Sequence, residues 1–133
     1  MEHSELYELN ELDVLWNTAG EFGAEGDAPA ETPPGIVHLS HLLRVYNSSM
    51  GGGLGFAFEV NEGFRVRRAI DALIYFGMSD LADLFEDLLE HVPDYDYIGN
   101  AEDRYDALVG NGDVLDETFR VKAAEAPGDF GLA

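Results

Sequence analysis

Apolar residues recur along most of this chain with the period of a helix. Leu6, Leu9, Leu12 and Trp16 share one side of a segment from about Ser4 to Asn17. Ile36, Leu39, Leu42, Leu43 and Tyr46 mark a second helix, Ile36 to Asn47, with His38, His41 and Val45 on its other side. Val66, Ala69, Ile70, Leu73, Ile74 and Phe76 cover a broad arc of a third, Phe64 to Gly77, as a helix packed on several neighbours would show. Gly77 suits the position just past a helix end, and Ser79 suits the cap of the next. In Ser79 to Val92 the side formed by Leu81, Leu84, Phe85, Leu88, Leu89 and Val92 is apolar, Asp80, Asp83, Glu86, Asp87 and Glu90 lie opposite, and Pro93 ends the run. A short helix capped by Asn100 turns Tyr105, Leu108 and Val109 inward, and a last one, Val114 to Ala124, follows the turn at Asn111 to Asp113. The pattern predicts a single all-α domain over 1–133, a bundle of five to six helices with Phe64–Gly77 in the middle.

The stretch Tyr46 to Phe64 is the pivot of this arrangement. Gly51, Gly52, Gly53 and Gly55 form a glycine-rich link between the second and third helices, where positive φ or close backbone approach is expected. Leu54, Phe56 and Phe58 follow at period two, as an extended piece pressed into the core or as the first turn of a buried helix. Asn61 and Phe64 read as a cap and a first apolar anchor of the third helix. Gly52, Gly53 and Phe58 are therefore the structural residues of the link. Residues 18–35, rich in Gly, Pro and acids, read as a surface loop, and residues 126–133 as a loose C-terminus.

Charge changes this picture most. Asp and Glu number 27 against seven Lys and Arg, a net charge of −20, and nine acids precede the first basic residue, Arg44. A surface of about 7,000 Å², expected at this size, carries one excess negative charge per roughly 350 Å². Direct nucleic-acid binding is disfavoured, because phosphates would be repelled. A basic partner is favoured, and general solvent adaptation of the surface is the bland alternative. Arg65, Arg67 and Arg68 lie together on the third helix, either as an anion site or as neutralisers of neighbouring acids. No cysteine is present, so no disulfide forms. No apolar run reaches the ~18 residues of a membrane span, and the acidic N-terminus lacks a signal pattern. A cytoplasmic protein away from membranes is expected.

Catalytic chemistry finds no support. There is no thiol nucleophile, no serine in a GxSxG elbow, and Ser40 sits within a helix. Among 27 acids a carboxylate pair carries no signal. His38 and His41 stand at i and i+3, a spacing that can share a metal, but no third ligand is spaced with them. The glycine run lacks the lysine and hydroxyl of a phosphate loop. Neither catalytic residues nor a metal or other cofactor is assigned. Asp80, Asp83, Asp87 and Glu90 step about 4.5 to 6 Å along a helix, against the ~3.4 Å advance of phosphates along a DNA strand, and approximate a phosphate array where two such rows are held at groove-like separation. They form a candidate partner-binding face, together with Glu5 and Glu8 of the first helix.

Tyr46, Asn47, Gly52, Gly53, Leu54, Phe58, Gly77, Ala82 and Leu84 resemble, over about residues 36 to 92, the motif chain of a bacterial family of unknown function. That family includes an acidic, all-helical DNA-mimic protein. Gly51, Leu54 and Phe56 stand where its pattern has Asn, Phe and Gln, so the polar residues of the motif are missing here. The resemblance implies an all-α fold and an interaction protein that imitates DNA. The expected function is a non-catalytic acidic protein occupying the basic nucleic-acid-binding surface of a partner. The alternatives are an immunity or inhibitor protein that masks a basic toxin and, third, a small metal-dependent hydrolase around His38 and His41.

Overall fold

The computed structural model describes the backbone of residues 2–132 and the side chains of residues 11–132. The described residues are all-helical: α1 (Glu2–Glu25), α2 (Pro34–Val60), α3 (Gly63–Tyr75), α4 (Ser79–Leu89), the single turn α5 (Tyr95–Gly99), α6 (Glu102–Val109) and α7 (Asp113–Glu125). A 3₁₀ turn, Pro127–Phe130, closes the C-terminal end. Among the described residues no helix is long and apolar enough to cross a membrane.

The centre of the bundle is α2, not the third helix. It packs on α1, α3, α5 and the C-terminal turn, and it buries residues all round, including Val45, which the sequence pattern places on the outer side. The glycine stretch is itself helical apart from one residue. Gly53, with φ 88° and ψ 175°, breaks α2 into two arms, a backbone conformation open in practice only to glycine. At the break the Leu54 amide donates to Glu102 Oε1 on α6 at 2.7 Å. A carboxylate thus caps the positive end of the second arm. In that arm the helical turn, and not period two, decides burial: Leu54 and Phe58 are buried and Phe56 is outside. Phe58 meets Phe85 of α4 edge-on, with centroids 5.5 Å apart.

Several boundaries differ from the sequence pattern, for physical reasons. The supposed loop 18–35 is helical as far as Glu25. Glycine inside a helix costs about 1 kcal/mol, but here it permits contact: a Cβ on Gly23 would strike the Ser40 carbonyl oxygen and sit 3.3 Å from the Arg44 amide of α2. Ala19, buried beside it, continues this small-residue contact. Asn61 does not start α3. It is buried at the C-terminal end of α2, donating to Ala57 O at 2.8 Å and Ser48 Oγ at 3.1 Å and accepting from Arg44 Nε at 2.9 Å. Ser79 and Asn100 make no side-chain cap; Met78 and Ala101 occupy those positions. Phe64 is 45% exposed and Ile74 61% exposed, so neither anchors the core. The guanidinium groups of Arg65 and Arg68 lie over the Phe64 ring instead. Gly77 does end α3, where Met78 N bonds Leu73 O at 2.8 Å and Gly77 N bonds Ile74 O at 3.1 Å, the paired closure of a Schellman motif.

The C-terminus is not loose through 132. Phe130 is 1% exposed and packs on Phe119 and Phe76, with centroid distances of 5.5 and 6.4 Å. Its ring lies against Gly35, where a Cβ would come within 2.7 Å. Asp129 accepts a 2.7 Å hydrogen bond from the Tyr75 hydroxyl.

Two substitutions test this architecture by urea unfolding. Gly53→Ala forces a side chain into a glycine-only conformation and should cost about 1–3 kcal/mol; an unchanged midpoint would mean the break is not needed. Phe130→Ala should cost about 3–5 kcal/mol, as for a buried aromatic. A loss within the ordinary surface range of about 0.5 kcal/mol would show that the tail is not seated in the core.

Candidate functional site

The amphipathic pattern of α4 is realised. Leu81, Ala82, Leu84, Phe85 and Leu88 are buried, while Asp80, Asp83, Glu86, Asp87 and Glu90 are exposed. Val92, expected on the apolar side, lies beyond the helix and is exposed. None of the α4 carboxylates takes part in the ion pairs of the described residues, which are Arg68–Asp27, Arg120–Asp13 and Arg120–Asp116. The acid row is therefore held on a rigid helix and open to a visitor. α4 packs on α6, whose Asp103 and Asp106 are also exposed, so a second acid-bearing helix runs beside the first. The side chains of Glu5 and Glu8 lie outside the described residues. Their helix, α1, packs on α2, whereas α4 packs on α3 and α6, so the structure does not bring the two acid sets together as one surface.

One carboxylate of the row is fixed in place. The Tyr97 hydroxyl donates to Asp87 Oδ2 at 3.1 Å, which raises the phenol's pKa above its ordinary value. Tyr97 also stacks on His91, with centroids 3.7 Å apart and planes 14° from parallel, and His91 Nδ1 lies 2.8 Å from the Asp87 carbonyl. Asp94 caps α5 by accepting from Tyr97 N at 3.1 Å. The sequence reading passed over this corner; its signal is the pair Asp87 and Tyr97, which becomes a contact only once Pro93 has turned the chain.

Most of the basic residues are engaged elsewhere. Arg44 Nη1 donates to Gly23 O at 2.6 Å, in the last turn of α1, and Arg65 Nη1 to Gly26 O at 3.0 Å, the first residue past it. Arg68 pairs with Asp27 at 2.8 Å, just beyond that helix. Cations at a helix C-terminus are favourable, and of the arginines weighed as an anion site, Arg65 and Arg68 do this work. Arg67 is exposed. The glycine break offers no free phosphate cradle at Leu54, because Glu102 already occupies that amide. Lys122 lies over the Tyr75 ring at 4.6 Å.

His38 and His41 are half-buried, and among the described residues no three His, Asp or Glu side chains are grouped to hold a metal. His38 stacks on Tyr75 at 4.5 Å and its Nδ1 is buried without a partner. Burial is the first cause that lowers the pKa of each imidazole; Asp71 and Asp129 oppose it at His38, and Arg68 and His38 add to it at His41. No family model, curated protein or solved structure matches the chain.

The histidines give a pH prediction. Their folded pKa values lie below the ordinary 6.5, so the unfolded chain binds protons first as pH falls. Stability should therefore drop on acidification from about pH 6.5 downward. The His38→Gln/His41→Gln variant should lose less over that range, read from urea midpoints at successive pH values. Parallel losses in both proteins would contradict the buried, neutral imidazoles.

Proposed function

We propose that this chain is a non-catalytic interaction protein whose acid face occupies the basic, nucleic-acid-binding surface of a partner, as a DNA mimic does. The observation that carries the reading is the acid row of α4, free of ion pairs among the described residues, in a chain whose Arg44, Arg65, Arg68 and Arg120 are turned to other tasks. Asp80, Asp83, Asp87 and Glu90 sit about 4.5 to 6 Å apart along a rigid axis. The exposed acids of α6, a helix in contact with α4, are candidates for the second row that a duplex-like charge array needs. The resemblance carried by Tyr46, Asn47, Gly52, Gly53, Leu54 and Phe58 points the same way. A surface of this charge attracts a basic protein rapidly and in a salt-dependent manner. It repels nucleic acid itself.

The test is capture on the immobilised full chain from a native lysate at low salt, identified by mass spectrometry. Basic nucleic-acid-binding proteins should be retained, released as salt rises, and displaced by added duplex DNA. The Asp80→Asn/Asp83→Asn/Asp87→Asn/Glu90→Gln variant, with its fold checked by thermal melting, should retain little. Equal retention by that variant would overturn the reading.

A further inference from the structure

The acid face is not uniform: at the α4–α5 corner it has a shaped cavity of about 290 Å³. Leu84 and Leu88, both nearly buried, line it. Asp87, Tyr97, Asn100 and Arg104 of α6 line it as well. At about 30 Å³ per water, this space exceeds a few solvent molecules and suits one side-chain head group. The parts are unlike those of a merely solvated acid stripe. Asp87 is the one α4 carboxylate that a neutral donor, the Tyr97 hydroxyl, holds in position, through Oδ2; Oδ1 makes no hydrogen bond among the described residues. Tyr97 is 40% exposed and its ring is braced by the stacked His91.

We infer that this corner receives an arginine side chain of the partner, its aliphatic stem on Leu84 and Leu88, its guanidinium against the Tyr97 ring and paired with Asp87. The inference rests on the acid-face reading above and names its anchor. Guanidinium is the cation that fits, because it is planar, stacks on aromatic rings and pairs with carboxylates through a fixed fork of donors. Arg104 lines the same cavity but makes no ion pair among the described residues, so it leaves the Asp87 carboxylate without a cation. Arg104 is exposed, its positive charge opposes an incoming arginine, and its removal strengthens binding.

The probe is a fluorescent ten-residue oligoarginine, titrated by anisotropy at low salt against the full chain. Asp87→Asn and Tyr97→Ala should weaken binding about tenfold, the scale of one fixed charge-assisted contact. The acid controls Glu59→Gln and Asp71→Asn, exposed on α2 and α3, should change it less than about twofold. Arg104→Ala should tighten binding several-fold more than Arg67→Ala, which alters net charge equally at another exposed site. Thermal melting checks that each variant is folded. If Asp87→Asn matches the acid controls and Arg104→Ala matches Arg67→Ala, attraction is diffuse; the anchor is then overturned while the acid-face reading stands. If oligoarginine fails to bind the unsubstituted chain, both fall.

Discussion

The break at Gly53 is the constraint on which the rest of the structure hangs. A single residue with φ 88° and ψ 175° lets one long helix change direction without leaving the core. Its first arm carries the contact with α1, through the glycine and alanine positions that admit a close crossing. Its second arm carries the rest: Glu102 of α6 reaches the freed Leu54 amide, Phe58 meets Phe85 of α4, and Gly55 lies against the Tyr95 carbonyl of α5. The elements that bear the acid face are thus all referred to seven residues of helix after the break. The orientation of that face follows from one backbone conformation that only glycine takes up readily.

Charge in this molecule is segregated more than it is balanced. Arginines with a clear structural task work on helix ends or across helix contacts. Arg44 and Arg65 hold carbonyls in the last turn of α1 and just past it, and Arg120 joins Asp116 on its own helix to Asp13 of α1. Binding to carbonyls satisfies a guanidinium without neutralising any carboxylate. The cost of burying part of Arg44 appears as a lowered pKa, set first by desolvation and then by the neighbouring Arg65. Among the described residues the acids of α4 make no ion pair, and Asp87 alone accepts a side-chain hydrogen bond, from Tyr97. Exposed acids without an ion pair also lie on the other helices, among them Glu21, Glu59, Asp71, Asp103 and Glu117; α4 adds Asp80, Asp83, Glu86 and Asp87 on one side.

Much of this was legible in the residues, and the rest failed for identifiable reasons. Helical-period spacing located α3 and α4 because each has one apolar side, the turn at Asn111 to Asp113 located the start of α7, and Gly77 ended α3 because its closure is local. Gly20 and Gly23 misled because their effect is tertiary: a glycine reads as a breaker until a second helix lies across it. Phe130 read as loose because its partners, Phe76, Phe119 and Gly35, are far away in sequence. Asn61 was placed at the right junction but on the wrong side, since an amide can close the end of one helix as well as open the next. The α4 acids were visible as a stripe. The corner beside them was not, because Asp87 and Tyr97 are ten residues apart and meet only across a turn.

A net charge of −20 on 133 residues works against the compact state through self-repulsion. Part of that repulsion acts between α4 and α6, which pack together and both carry exposed acids. The contacts beneath that side oppose it. Phe85 is gripped by Phe58 and Tyr105, Tyr105 is tied to Ser49 through a 2.7 Å hydroxyl contact, and α5 is bound to α2. Burial pushes the Tyr105 phenol well above its ordinary pKa, so this tie stays uncharged. Under the function proposed above, a basic partner would relieve the same repulsion, and binding and folding would draw on one electrostatic term. Weaken the aromatic contacts, and the acid helices can separate to lower their mutual repulsion.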